Sequence, residues 1–345
     1  MQGAAGPRAG SESDSRAILA SAGLMPQHLI APVFVAGAKA TAFGANSMPG
    51  VKICSLDEVA SHAGSLLDAG ISSIILFGIP LMRTPTGSNA SQSDGVVQTA
   101  IRLIRSLLGR SIEIITDVCV CQYSDCGHCG LEMHQPSSNP SGNMRAALRR
   151  DNLPRIDNDA TLRVLSEIAL SHAVAGADVV APSSMMDGQV WAIREKLREN
   201  GLKTKILSYS AKHASSLYAP FRSATFAPKA GSLSTGLDKA SYQVSYATPR
   251  QVVREVLTDI EEGADMVMIK PALCYLDLVA RAKEISSVPL VVQNVSGEYS
   301  MIMAAADAEL IDEEEWKVIS IASMKRAGAD RIISYFSEDI VRYLH

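Results

Sequence analysis

The sequence predicts a (β/α)8 barrel preceded by an extended N-terminal arm. Short apolar, β-branched runs recur along the 345 residues, and amphipathic stretches of helix length separate most of them. Near-continuous apolar strands that alternate with helices indicate a parallel sheet buried on both faces. Eight such units fit a closed barrel, whose usual size is roughly 250 residues plus insertions. A doubly wound open sheet is the alternative.

The predicted strands are runs of mainly apolar residues, and glycine follows three of the predicted helices, which is the expected stop signal. Strands are predicted over Leu29 to Val35, Ser73 to Phe77, Glu113 to Asp117, Asp178 to Ala181, Lys205 to Ser208, Met266 to Ile269, Pro289 to Gln293 and Arg331 to Ser334. Helices are predicted over Leu56 to Ala69, Val96 to Leu108, Asp159 to Ala175 and Pro249 to Glu262.

Composition excludes some classes of function. Apolar residues make up 47% of the chain, enough for a large core, and a net charge of −4 offers no basic surface for nucleic acid. The longest apolar runs, such as Ile74 to Ile79, are too short to span a bilayer. The first 24 residues lack the apolar segment of a secretory signal. We therefore expect a flexible arm over residues 1–28, a single catalytic domain over 29–345 and a cytoplasmic protein.

Polar residues follow the predicted strands where a barrel places its chemistry, at the carboxyl ends of the strands. These residues are Asp117, Ser183, Lys212, Lys270, Ser296 and Tyr335. Two long loops, Cys119 to Leu153 and Ser210 to Ala247, also follow strands. Because long loops in a compact domain are usually functional, the second is predicted to be an active-site lid near 210–247.

Four of the six cysteines lie within eleven residues, a clustering typical of a metal site. Cys119 and Cys121 are two apart, so on an extended chain their side chains point the same way. Nearby glycines permit the turn that would bring Cys129 back to them. Thiolates suit zinc, and three ligands would leave an open, catalytic position. Cys126 or His128 as a fourth ligand would close the site, and buried cysteines without metal are the alternative.

Two lysines end neighbouring predicted strands. Lys270 closes an apolar run, so partial desolvation should lower its pKa and favour the nucleophilic free amine. Such an amine can form a Schiff base with a ketone. Lys212 occupies a similar place, and mutual repulsion should lower at least one of the two pKa values further.

Taken together and in order, several segments resemble the porphobilinogen synthase (5-aminolevulinate dehydratase) family from about Leu29 to the end of the chain. The segments are Ser47-Met-Pro-Gly-Val51, Asp117-Val-Cys-Val-Cys121, Gly127-His-Cys-Gly130, Ala181-Pro-Ser-Ser-Met-Met-Asp-Gly188, Ser208-Tyr-Ser-Ala-Lys212, Pro220-Phe-Arg222, Met268-Ile-Lys-Pro271, Tyr275-Leu-Asp277 and Val295-Ser-Gly-Glu-Tyr299. The resemblance implies condensation of two molecules of 5-aminolevulinate to porphobilinogen with loss of two waters.

The resemblance also implies roles for single residues. Lys270 resembles the Schiff-base lysine of the first substrate and Lys212 that of the second, with Asp117 and Ser183 lining the pocket. The cysteines that resemble the zinc ligands of one branch of the family are Cys119, Cys121 and Cys129. The residues that resemble the carboxylate-binding groups are Ser296 and Tyr335 for the first substrate, and Arg222 and Gln243 for the second. Glu255 matches the position that binds an allosteric magnesium in many relatives, and the family assembles as homo-octamers.

The chain departs from the family pattern at a few positions. Lys239 stands where a second clamp arginine is expected, which keeps the charge but loses the bidentate fork and predicts weaker binding of the second substrate. Ser184 replaces an aspartate, Gln293 stands in place of an aromatic residue, Gln122 replaces a proline, and Cys126 adds a thiol. Two alternatives stay open: a Schiff-base aldolase-type lyase, and a zinc-binding paralogue with weak activity.

Overall fold

The computed structural model describes residues 12–37, 48–133, 156–225 and 239–345. Eight parallel strands, numbered β1 to β8, form the barrel. They are β1 Leu29–Ala36, β2 Ser73–Ile79, β3 Glu113–Val118, β4 Val179–Pro182, β5 Lys205–Lys212, β6 Met266–Lys270, β7 Leu290–Gln293 and β8 Arg331–Ile333. Each strand pairs with the next, and β8 pairs back onto β1 through Leu29 opposite Ile332. This closure confirms the predicted barrel, and the open sheet is wrong.

Helices surround the barrel. They are α1 Glu12–Ser21, α2 Leu56–Asp68, α3 Val96–Leu108, α4 Asn158–Ala175, α5 Gln189–Glu199, α6 Ala219–Thr225, α7 Pro249–Glu261, α8 Leu276–Ile285, α9 Ser296–Asp307, α10 Glu313–Arg326 and α11 Ser337–Val341. Short strands at Ile53–Ser55, Leu131–Glu132 and Ile156–Asp157 lie outside the barrel. None of the helices in the described ranges is long and apolar enough to cross a membrane.

The barrel interior and the strand faces under the helices form one apolar core. The side chains of β1 and β2 are almost all buried, which is why these strands lack a polar alternation in the sequence. Strand β5 runs four residues past its predicted end at Ser208, because the segment up to Lys212 stays buried and paired with β6. The predicted lid therefore begins after Lys212, and residues 226–238 of it lie outside the described residues.

A β-bulge aligns the two lysines. Ser208 of β5 lies opposite Val267 of β6, whereas Lys212 lies opposite Lys270, so β5 carries one extra residue between the two pairs. An extra residue changes the face to which the following side chains point, and such bulges are frequent next to active sites. Because residues directly opposite in neighbouring strands share a face, the shift turns Lys212 and Lys270 to the same side.

The N-terminal segment differs from the expected flexible arm within residues 12–28. Helix α1 packs against α10, and the side chain of Leu19 is fully buried. Two acidic residues in the first turn, Glu12 and Asp14, stabilise the helix through their interaction with the positive end of the helix dipole. The apolar pair Ile18-Leu19 is too short to show a hydrophobic periodicity, so the contact of α1 with α10 could not be predicted from the sequence. Residues 1–11 lie outside the described residues.

Candidate active site

A cavity of about 520 Å³, counted out to its mouth, lies at the carboxyl ends of the barrel strands. It brings together eleven of the thirteen predicted site residues, from six different strand ends and from the segments that follow β3 and β5. They are Asp117, Cys121, Cys129, Ser183, Lys212, Arg222, Lys239, Gln243, Lys270, Ser296 and Tyr335. The position agrees with the rule that barrel chemistry lies at this face.

The amine of Lys270 is enclosed by neutral groups. The side chain is 7% exposed, and Nζ donates a hydrogen bond to Oε1 of Gln293 at 2.9 Å. Nζ also lies 4.4 Å from the ring centre of Tyr209 and 5.5 Å from that of Tyr218. Burial, with the charge of Lys212 as a second cause, lowers the pKa of Lys270 from 10.5 to about 7. A large fraction of this amine is therefore neutral, and nucleophilic, at neutral pH.

The amine of Lys212 has a different environment. Its Nζ donates to the backbone oxygen of Ser183 at 2.6 Å and lies 4.0 Å from Sγ of Cys129. Burial alone would lower the pKa of Lys212, but the negative charge of the Cys129 thiolate, with smaller contributions from Cys119, Cys121 and Asp117, outweighs it and raises the pKa. The sequence predicted a lowered pKa for at least one of the two lysines, and in the structure that lysine is Lys270.

Three thiols meet beside Lys212. The sulfur atoms of Cys119, Cys121 and Cys129 all lie within 4.8 Å of one another, and all three side chains are buried. Burial raises the pKa of Cys119 to about 11, whereas hydrogen bonds from the other two thiols, with a contribution from Lys212, hold the pKa of Cys129 well below its usual value. Three convergent sulfurs, one of them biased toward the thiolate, fit a zinc ion with an open fourth position.

The two candidates for a fourth ligand lie outside this cluster. In the described part of the chain, the three thiols are the one group of at least three potential ligands that are close enough to share an ion. Nδ1 of His128 lies 3.2 Å from the hydroxyl of Tyr242, and Sγ of Cys126 lies 3.5 Å from Oγ of Ser124. The geometry therefore favours the three-ligand, catalytic arrangement over a closed structural site.

Two hydroxyls lie on the side of the cavity near β7 and β8. The hydroxyl of Tyr335 is buried and has no hydrogen-bond partner within the described ranges. Burial also raises the pKa of Tyr335, so the group is a neutral donor. Oγ of Ser296 donates to the backbone oxygen of Leu217 and accepts from the backbone N–H of Phe221, each at 3.1 Å. A buried donor without a partner in a cavity is a natural anchor for a ligand oxygen.

The segment after β5 brings cationic and amide groups into the cavity. Arg222 lies on α6, 5.6 Å above the ring centre of Tyr218. Lys239 begins a turn of 3-10 helix, and Gln243 follows it. The segment is joined to the end of β5 by a bridge between His213 and Val244. Arg222 and Lys239, together with the ammonium of Lys212, give the cavity a positive lining suited to carboxylates.

Glu298 fixes the loops that follow β6 and β7, and sequence reasoning did not single it out. Its buried carboxylate accepts backbone N–H groups of Leu273 and Val295, each at 2.7 Å. Burial raises the pKa of Glu298 to about 7. The sequence signal was its place at the third position of α9, where a glutamate reaches back to the residue before the helix. The contacts couple the loop after Lys270 to the turn that carries Ser296.

Other lining residues were missed because their type alone suggested no function. Phe77, Tyr218, Phe221 and Val295 supply apolar walls. Gln122 stood only as a departure from the family pattern, yet its Nε2 donates to Asp117 Oδ2 at 3.1 Å. Ser184, another departure, donates to Sγ of Cys119 at 3.4 Å.

Glu255 lies apart from this cavity. It lines a second cavity of about 510 Å³, together with Asp259 and Glu262. Asp259 accepts a hydrogen bond from Ser208 Oγ at 2.7 Å, and burial raises the pKa of Asp259 to about 6. The ligand atoms of these carboxylates are not among those close enough to share an ion in the described residues, so the magnesium at Glu255 stays a prediction.

The closed barrel, the opposed buried lysines and the thiol cluster define a barrel enzyme with the groups for amine–ketone chemistry. A family model described as Delta-aminolevulinic acid dehydratase matches residues 6–343. The chain is 43% identical over 332 residues to the Delta-aminolevulinic acid dehydratase of Methanothermus sociabilis, with 95% of each chain covered. It is 42% identical over 319 residues to that of Synechocystis, covering 92% of this chain and 90% of the relative.

A solved structure agrees with these relatives. The delta-aminolevulinic acid dehydratase (porphobilinogen synthase) of Toxoplasma gondii, in complex with the reaction product porphobilinogen, is 35% identical with a TM-score of 0.83. The match covers 93% of this chain and 85% of that one. The chain belongs to the delta-aminolevulinic acid dehydratase family, as the sequence motifs predicted.

Proposed function

We propose that this protein is a porphobilinogen synthase, which condenses two molecules of 5-aminolevulinate to porphobilinogen with loss of two waters. The observation that carries the proposal is the pair of buried amines, Lys212 and Lys270, opposite each other in one cavity beside three thiols. A Schiff-base aldolase needs one such lysine and no thiol cluster. The relatives named as delta-aminolevulinic acid dehydratase support the same reaction.

Lys270 is the nucleophile for the first substrate. Its pKa near 7 leaves a free amine that attacks the ketone carbon of 5-aminolevulinate, and the carbinolamine loses water to give an iminium. The hydroxyls of Tyr335 and Ser296 lie on the same side of the cavity and are proposed to bind the carboxylate of this substrate. Ser296 must exchange one of its present backbone partners, Leu217 or Phe221, to do so.

Lys212 forms the second Schiff base. Because it starts as an ammonium held by Ser183 and the thiols, it must first lose a proton, for which the carboxylate of Asp117 is a nearby base. Arg222, Lys239 and Gln243 are proposed to bind the carboxylate of the second substrate. With both substrates in one pocket, carbon–carbon and carbon–nitrogen bond formation avoid an encounter in solution, which is worth roughly 7–11 kcal/mol in well-oriented systems.

Cys119, Cys121 and Cys129 are proposed to hold a zinc ion, since their sulfurs converge and soft thiolates select this metal. Bound there, zinc would supply Lewis-acid polarisation of a substrate oxygen next to Lys212. Ser184 would then orient Cys119 through the hydrogen bond that it donates to the sulfur.

The assembly and the cell compartment are inferred from the family resemblance. We propose a homo-octamer, and large apolar side chains on the barrel exterior, such as Leu107, Val174 and Trp191, are exposed in the single chain and offer contact surface. A cytoplasmic enzyme is proposed on the same basis. Light scattering of the purified protein tests the assembly: a stable monomer at working concentration would contradict it.

Incubation with 5-aminolevulinate, with colorimetric detection of porphobilinogen, tests the function. We expect product from the wild type, loss of product after treatment with a zinc chelator, and recovery when zinc is returned. Lys270→Met should abolish product. Lys203→Met serves as the matched control, because Lys203 is exposed and lies before the start of β5, at the end of the strand away from Lys212. Bound zinc without product would favour the weakly active paralogue, and an active Lys270→Met variant would contradict the mechanism.

A further inference from the structure

We propose that Gln293 is a catalytic residue that holds the Lys270 amine in its attacking orientation through an uncharged hydrogen bond. The assignment rests on the proposed role of Lys270 as the nucleophile. It gives a function to a residue that the sequence resemblance marks only as a departure from the family pattern.

The contact is direct and buried. Nζ of Lys270 and Oε1 of Gln293 are 2.9 Å apart, and the two side chains are 7% and 2% exposed. Both residues are the last of their strands, β6 and β7, which are neighbours in the barrel. Strand ends are rigid supports, so the hydrogen bond fixes the rotation of the terminal amine. Gln293 also lines the cavity, so it acts where the substrate ketone must arrive.

The amide suits this role because it is neutral. A neutral amine has two N–H donors and one lone pair, and a donor engaged by Oε1 limits where the lone pair can point. A carboxylate at the same place would favour the charged ammonium and suppress attack. An apolar side chain would leave a buried N–H without a partner. The amide therefore orients the amine without adding charge to it.

The other groups that face the amine do not replace this contact. The rings of Tyr209 and Tyr218 offer their faces at 4.4 and 5.5 Å, which favours a positive charge but does not orient the lone pair. The charged and titratable groups that act on the pKa of Lys270 are Lys212, Asp117, Cys121 and Cys119. In the part of the chain that the structure describes, Gln293 is the one recorded hydrogen-bond acceptor of Lys270 Nζ.

Two substitutions separate orientation from charge. Gln293→Met removes the acceptor at similar size, and Gln293→Glu keeps the shape but adds a charge. Gln98→Met is the matched control, because Gln98 is also buried and hydrogen-bonded but lies on α3, away from the amine. Each protein is mixed with 5-aminolevulinate, quenched with borohydride at timed intervals across pH 6 to about 9 and digested, and the rate of adduct formation on Lys270 is measured by mass spectrometry.

For the wild type we expect a rate that rises with a midpoint near pH 7. Gln293→Met should lower the limiting rate at high pH by about tenfold or more, because misplacement of a reacting group by about 1 Å can cost about a hundredfold. Gln293→Glu should raise the midpoint by about one pH unit or more and nearly restore the limiting rate. Gln98→Met should leave both quantities unchanged, whatever its effect on the melting temperature.

A wild-type limiting rate in Gln293→Met, or an unmoved midpoint in Gln293→Glu, would overturn the proposal. If Gln293→Met does not fold, the near-isosteric Gln293→Glu variant still decides it. If the wild type forms no adduct on Lys270 at all, the failure lies in the proposed function and not in the role of Gln293.

Discussion

Replacing Lys270 by methionine should stabilise the folded protein even though it removes the proposed nucleophile. The pKa of this buried amine falls from 10.5 to about 7 on folding, a difference of about 3.5 pH units. At about 1.4 kcal/mol per unit, burial of the amine costs roughly 5 kcal/mol of folding free energy at or below pH 7. Methionine fills similar space without charge but leaves the carbonyl of Gln293 without its donor, at a cost of about 1–3 kcal/mol. The net gain expected at neutral pH is about 2–4 kcal/mol.

The gain should depend on pH with a defined sign. Because the folded pKa is the lower one, the unfolded chain binds more protons between about pH 7 and 10.5, and the stability of the wild type rises with pH across that window. Below about pH 7 the penalty is complete, and above about pH 10 it is nearly gone. The advantage of Lys270→Met should therefore be largest at pH 7 and shrink toward pH 10.

Thermal melts followed by circular dichroism at pH 7 and pH 10 measure this difference. Lys203→Met serves as the control for loss of an exposed lysine, and its melting temperature should match that of the wild type at both values. Comparison at equal protein concentration keeps any effect of assembly constant. A Lys270→Met variant that is no more stable than the wild type at pH 7, or a gain that does not change with pH, would refute the lowered pKa on which the mechanism depends.

Three further predictions concern the two carboxylate sites and the thiols. Tyr335→Phe should fold normally but raise KM about tenfold to a hundredfold, because one hydrogen bond to a charged group is worth about 1.5–3 kcal/mol. An unchanged KM in steady-state kinetics would contradict the role of the hydroxyl. Lys239→Arg should strengthen binding of the second substrate about threefold to tenfold by restoring a bidentate fork, and a weaker apparent affinity in the same assay would show that lysine is the better fit here. Cys121→Ser should lose the bound zinc, as measured by elemental analysis, whereas Cys274→Ser, at an exposed cysteine outside the cluster, should keep it.

Much of the fold followed from local patterns in the sequence. A strand buried on both faces must be apolar throughout, so the cores of all eight barrel strands stood out, and the helix Val96–Leu108 has its predicted bounds. The length of β5 was missed, because Ser208 to Lys212 looks polar although each of these side chains is buried. Helix α1 was missed because it is stabilised by tertiary packing, with Leu19 buried and the helix in contact with α10, which lies roughly 300 positions away in the chain.

The candidate site was predictable in composition but not in geometry. Their positions after predicted strands identified Lys212 and Lys270 as candidates. Their alignment, however, depends on a β-bulge that no residue in β5 predicts. The sequence left open whether Cys126 or His128 adds a fourth ligand to the predicted metal site, and only the folded loop places both outside the thiol cluster. The sequence marked Gln293 only as a departure, in place of an aromatic residue, because an amide does not by itself suggest a catalytic role. Its proposed role depends on the Lys270 amine, which lies 2.9 Å away on the neighbouring strand.

The central claim is that two amines act on two substrates in one cavity. Borohydride reduction of the enzyme during turnover of 5-aminolevulinate, followed by peptide mass spectrometry, tests it most directly. The account predicts a reduced adduct on Lys270 at low substrate concentration, and a second adduct on Lys212 as the concentration rises. Product formation with adducts on neither lysine, or with adducts on surface lysines alone, would contradict it.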